Sequence, residues 1–235
     1  MWRRMVRGMF EPDPDSRYLD RFGWLLALTY LTVAAQMLVD FEETFADVGA
    51  EIGVVLAQLV ATAMLLLALR ACGVSRHWRV ILTAFALVGL GARLLVLTGT
   101  LLTRAQGHQV KVIGPWGSLV LVALVFMFVG YRLSQHRKVT SATLLGSITA
   151  YLLIPLAFYY AFVVVDTVQS TPFFGRPAGG PEYMYFSLTT VTTLGYGDPS
   201  PATSVGQLLA TTEALVGQLY LVVVVALIVG LMASR

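Results

Sequence analysis

The sequence predicts an all-α integral membrane protein of six transmembrane helices with a shorter re-entrant element between the fifth and sixth, and three observations predict it. Of its 235 residues, 57% are hydrophobic and 12% charged, with a mean hydropathy of +0.76, which leaves too little polar surface to cover a water-soluble core of this size. Six apolar stretches, at about residues 22–39, 52–69, 80–103, 117–131, 142–165 and 204–232, approach the ~20 residues that cross ~30 Å of hydrocarbon at ~1.5 Å per residue. Only between the fifth and sixth does the pattern change, to a Pro/Gly-rich stretch over 171–181, an amphipathic segment and a glycine-punctuated hexapeptide.

Taken in order, residues 1–21 hold five arginines with Glu11, Asp13, Asp15 and Asp20 around Pro12 and Pro14, and no apolar core followed by a cleavage site. This reads as a short cytoplasmic lead rather than a signal peptide. After the first span, Asp40, Glu42, Glu43, Asp47 and Glu51 come without a basic residue; a solvated loop end outweighs a cation-concentrating mouth as their reading. The loop between the second and third spans carries Arg70, Arg76 and Arg79 beside Cys72, the single cysteine, so no intrachain disulfide forms and the thiol is placed near the reducing side. Arg93 is the only basic residue deep in a span; it is read as a packing anchor or a snorkelling side chain, with Asp166 as a candidate partner. Voltage sensing needs ~3–4 charges per subunit moving through the field, and residues 117–131 contain none. Residues 22–133 are therefore expected to form a four-helix membrane domain that is voltage-sensor-like in helix count but not in chemistry. Pro155 should kink the fifth span locally. In the sixth, Gly217 admits close helix packing or bending. Glu213, an acid inside a span, must face protein or water, either as a partner behind the loop or as a cation-attracting group facing a cavity.

The lead, the Arg70–Arg79 loop, the loop with Arg132, Arg137 and Lys138, and Arg235 hold twelve of the sixteen lysines and arginines, against Arg104, Lys111 and Arg176 on the opposite side. Both termini are thus expected in the cytoplasm of a multi-pass protein of the cell (plasma or inner) membrane, embedded in its lipid bilayer. The net charge of +3 is spread over short loops with no basic stripe, so no nucleic-acid partner is expected. His77, His108 and His136 fall in predicted loops, no metal-ligand spacing occurs, and the serines lack a base. The chain is read as not an enzyme and as needing no cofactor.

The chemistry is expected in Thr193-Leu194-Gly195-Tyr196-Gly197-Asp198. Removing the water shell of a potassium ion requires oxygen ligands in its place, and backbone carbonyls serve only if the strand turns them all to one side. Gly195 and Gly197 alternate with Leu194 and Tyr196, so glycines can take conformations closed to other residues while the larger side chains brace the strand. Residues 181–198, P-E-Y-M-Y-F-S-L-T-T-V-T-T-L-G-Y-G-D, resemble the pore helix and selectivity filter of the potassium channel superfamily, particularly the bacterial two-helix channels. In those the stretch runs from a proline through two aromatics and T-T to V-G-Y-G-D. The likeness continues through Pro201 and Gly206 to Gly217 without a gap.

The resemblance implies a pore helix over about 181–192, started by a proline whose missing N–H costs nothing there. Its C-terminal carbonyl dipoles would favour a cation at the membrane centre. It implies K+, as permeant ion, held by the carbonyls of Thr193, Leu194, Gly195 and Tyr196 and the Thr193 hydroxyl, with Gly197 completing the filter. Tyr185 and Phe186 match the paired aromatics that cuff the filter tyrosine, with Thr189, Thr192 and Asp198 as further filter support. Thr189 stands where some relatives carry a glutamate bonded to the filter aspartate, so Asp198 lacks that partner. Leu194 stands where valine is commoner. Gly217 matches the proposed hinge glycine, which with Glu213 makes it the gate candidate. One loop cannot enclose an ion, so a homotetrameric pore is implied, its pore domain at 140–235. No cytosolic ligand-binding domain is expected in this chain. The function so read is passive, K+-selective conduction without strong voltage gating. The alternatives are a non-selective cation channel and a non-conducting scaffold or regulatory subunit.

Overall fold

The computed structural model describes residues 22–38, 49–105, 115–134 and 140–233. The lead 1–21, the acidic residues Asp40, Glu42, Glu43 and Asp47, and His108, Lys111, His136, Arg137, Lys138 and Arg235 lie outside the described residues. Among the described residues seven helices follow one another: α1 (Phe22–Leu38), α2 (Gly49–Ala71), α3 (Arg76–Ala105), α4 (Trp116–Ser134), α5 (Ser141–Val168), α6 (Gly180–Val191) and α7 (Ser204–Ala233). No residue among those described is paired into a β-sheet, and the strand that follows α6 is an extended segment only.

The protein is an all-helical integral membrane protein. Among the described residues, four segments are long and apolar enough to cross a bilayer: Arg76–Gly99, Trp116–Leu133, Ala142–Val168 and Ser204–Val224. Two shorter apolar helices, Phe22–Leu38 and Val55–Ala71, accompany them. The helices run past the apolar stretches that announce them, because helical hydrogen bonds do not stop where the hydrocarbon does. Thus α3 starts at Arg76, which takes His77 out of its expected loop and into the first turn of a helix. Likewise α4 extends to Ser134 and carries Arg132 in its last turn, and Glu51 belongs to α2.

α5 is the central post, packed by α4, α1, α6 and α7, while α2 joins α4, α3 and α1. On α2 the small residues Ala57, Ala61 and Ala68 are buried with Met64 and Leu65 on one helical face, which lets neighbouring backbones approach closely. Gln58 locks α2 to α4: Ser118 Oγ donates to its Oε1 at 3.3 Å. A Cβ at Gly117 would stand 2.4 Å from that same oxygen. α1 lies against α5 and α6, tied by Tyr159, whose hydroxyl donates to Gln36 Oε1 at 2.9 Å. At its other end Phe22, fully buried, fills the place a Cβ at Gly146 would contest. α3 turns an apolar face of Val80, Ile81, Phe85, Val88 and Leu95 away from the rest of the chain.

Candidate functional site

The segment joining α5 to α7 is anchored before it does anything else. Asp166, near the end of α5, accepts the Phe173 N–H at 2.6 Å, so the carboxylate considered as a partner for Arg93 is engaged by the loop. The Phe173 carbonyl accepts from Ala202 N at 2.8 Å, and Gly175, at φ +74, closes a turn back to Pro172 O. The Phe173 ring is completely buried among Phe162, Phe174, Tyr183 and Phe186, with ring centroids 4.9–6.0 Å away. A Cβ on Gly206 would come within 2.9 Å of it. Phe173 thus ties the loop to α5, α6 and the start of α7 at once, and the sequence offered no sign of this beyond its aromaticity. Phe173→Ala should destabilise the protein by about 3–5 kcal/mol, read as a lowered unfolding temperature in detergent; an unchanged temperature would contradict this packing role.

α6 begins at Gly180 after the Gly179 cap, with Pro181 in its first turn and Glu182 close behind, as its missing N–H and acidic preference require. Arg176 donates both guanidinium nitrogens to Glu182. That hydrogen bonding first, then the Glu182 charge and more weakly Asp198, raise the guanidinium above its ordinary range. Asp198 therefore has a basic neighbour in the loop. Thr189 turns its hydroxyl back to Phe186 O at 3.0 Å and meets the next segment through its carbonyl, which accepts from Leu194 N at 2.9 Å and Gly195 N at 3.2 Å. The two aromatics part company. Tyr185 lies face to face with Tyr196 of the same chain, 6.3 Å between centroids and 3° between planes, within the range of favourable offset stacking. Phe186 points into the Phe173 cluster instead.

Beyond α6 the backbone alternates. Thr193, Gly195 and Gly197 have φ of 57°, 52° and 86°, while Leu194 and Tyr196 between them are not positive. In an ordinary strand successive carbonyls point to opposite sides; inverting every second residue brings them to one side. At Gly195 and Gly197 an added Cβ would meet nothing within 4 Å in its own chain, so it is φ, not space, that demands glycine. Thr193 accepts the same geometry without that freedom, at a cost of about 1–2 kcal/mol. Its hydroxyl donates to Thr192 O at 2.7 Å, and Thr192 itself donates to Leu188 O at 2.7 Å. Leu194 and Tyr196 remain largely uncovered by their own chain, at 56% and 68% exposure.

α7 runs unbroken past this strand and presses on α6 at two points one turn apart. Glu213 is fully buried and meets Ser187 Oγ at 2.5 Å, which places it behind α6 within one chain, away from any open cavity. At Gly217 a Cβ would lie 2.6 Å from Val191 Cγ2 and 3.0 Å from Val191 O: the close-packing reading describes this arrangement. The next residue, Gln218, donates from Nε2 to Thr193 Oγ1 at 3.4 Å. It is a site neighbour that sequence reasoning passed over, although a lone amide in an apolar run was the available signal. Tyr220 OH donates to Ser147 O at 2.7 Å, fixing α7 to α5. Pro155 also links α5 to α6, since its carbonyl accepts from Ser187 Oγ at 2.8 Å.

A family model described as an ion channel matches residues 174–234, from the loop through α6 and the alternating strand to the end of α7. Neither the curated proteins nor the solved structures contain a match.

Proposed function

We propose, from the premise that residues 174–234 match an ion-channel family model, that this chain is one subunit of a homotetrameric, K+-selective channel of the potassium channel superfamily. The observation that supports the reading is the alternation of backbone handedness at Thr193, Gly195 and Gly197, the pattern by which the carbonyls of residues 193–196 would turn to one side, as replacement of a potassium ion's water shell requires. One such strand supplies oxygens from one direction only, so four copies around an axis are needed to close the site. The uncovered side chains of Leu194, Tyr196, Leu208, Leu215 and Leu219 are where neighbouring copies would sit. Six crossings, with α1 and α2 as the two short ones, keep both termini on the side that holds most of the arginines, the cytoplasmic side of a cell membrane.

Conduction is passive and not strongly voltage-dependent. The fourth helix, Trp116–Ser134, bears its one cation, Arg132, in the last turn, where little of the field can be crossed. Purified protein in K+-loaded liposomes should give proton-dye flux that barium blocks and that fails when sodium replaces potassium. Flux in both ions would indicate a non-selective cation channel. No flux from assembled tetramers would favour a scaffold or regulatory subunit.

A further inference from the structure

Glu213, Ser187 and the Pro155 carbonyl come from α7, α6 and α5 and meet at one buried point. Ser187 Oγ stands 2.5 Å from Glu213 Oε1 and 2.8 Å from Pro155 O. Both distances are those of hydrogen bonds, yet a serine hydroxyl has one proton to give, and a carbonyl and a carboxylate can only accept. If Glu213 is ionised, one of the two contacts is a pair of oxygens with no proton between them. If Oε1 carries a proton, it donates to Ser187, Ser187 donates to Pro155, and both contacts are hydrogen bonds. A second observation points the same way. Glu213 is wholly buried within a single chain, and its other oxygen, Oε2, has no hydrogen-bond partner. An ionised carboxylate left half unsatisfied there would be far more costly than the carbonyl end of a neutral acid. Tyr151 on α5 turns its hydroxyl to Val191 O at 3.4 Å rather than to Glu213.

We propose that Glu213 is held as a neutral carboxylic acid and acts as the donor at the head of a one-way hydrogen-bond chain, Glu213 to Ser187 to the Pro155 carbonyl, which positions the pore helix against α7. The register makes the chain a lever. Glu213 and Gly217 are four residues apart on α7, and their contacts Ser187 and Val191 are four apart on α6, so each pair shares a helical face. Displacing α7 at Gly217 must then either carry the end of α6, from which Leu194 and Gly195 hang by the Thr189 carbonyl, or break the chain at Ser187. Glu213 is in this account a positioning residue: it touches no ion. The role in conduction rests on the reading of α6 and the following strand as a pore, whereas the protonation state does not.

The test joins a spectroscopic and a functional measurement on the full chain in lipid at neutral pH. An infrared difference spectrum of wild type minus Glu213→Gln should contain the carbonyl stretch of a protonated carboxylic acid. A carboxylate doublet in its place would overturn the proposal. In liposome flux, Glu213→Gln should keep most of the K+ flux because its amide N–H replaces the acid proton toward Ser187. Glu213→Leu and Ser187→Ala, which leave buried partners unsatisfied, should each lose about tenfold. Wild-type flux from Glu213→Leu, or loss of flux in Glu213→Gln as severe as in Glu213→Leu, would refute the positioning role. Should Glu213→Leu fail to assemble, Ser187→Ala and the infrared band still decide. An acid band in a wild-type protein that conducts no potassium would instead count against the pore reading alone.

Discussion

Gly195→Ala is expected to reduce potassium flux to that of protein-free liposomes, while the protein still assembles. Gly195 holds φ at 52°, and a side chain in that region costs about 1–2 kcal/mol. The relief available to the chain is to rotate the peptide back toward negative φ, which swings the Leu194–Gly195 carbonyl geometry out of line. No clash contributes within the chain, since an added Cβ meets nothing within 4 Å. The expected signature is therefore loss of conduction with an unchanged elution volume and a nearly unchanged unfolding temperature. A conducting Gly195→Ala protein would mean that the alternating strand is not the path.

Gly217→Ala has the second largest effect, and its signature is the reverse, with stability and flux falling together. The new Cβ would lie 3.0 Å from the Val191 carbonyl oxygen, which is backbone and cannot rotate away, as well as 2.6 Å from Val191 Cγ2. Overpacking of this kind costs about 1–3 kcal/mol, and here it would pry α7 from the end of α6, which carries the following strand. Thermal unfolding and flux measured on the same preparation check it. Adding Val191→Ala should return part of the loss, because it removes the side-chain half of the conflict and leaves the backbone half. If Gly217→Ala conducts and melts like wild type, the close approach of α7 to α6 is not required.

The parts of the fold written locally in the sequence were the legible ones. Hydropathy located the helices to within a few residues, missing their polar ends at Arg76 and Ser134 because apolar runs report the hydrocarbon and not the helix. The Gly-Tyr-Gly spacing marked the strand, since the need for φ beyond the reach of other residues leaves glycine as its trace. What stayed hidden depends on which helix faces which. Gln36 and Tyr159 are 123 positions apart, Gln58 and Ser118 are 60 apart, and nothing in an apolar helix of nearly uniform hydropathy fixes its rotation. Polar residues are the exceptions to that uniformity, so Gln36, Gln58 and Gln218 were the readable hints. Glu213 was recognised as anomalous, but choosing between a partner and a cavity required Ser187, a residue with no distinguishing pattern on the amphipathic α6. Phe173 is the opposite case: its importance comes from closing a loop on Asp166 and Ala202, a geometry that no periodicity encodes.

Four copies of the 193–197 strand are proposed to make a carbonyl-lined path that passes potassium and rejects sodium. The most direct test is the reversal potential of the purified channel in a planar bilayer, with potassium on one side and sodium on the other. This account predicts a barium-sensitive current that reverses far from zero, in the direction set by potassium alone. A current reversing near zero under the same gradient would contradict it.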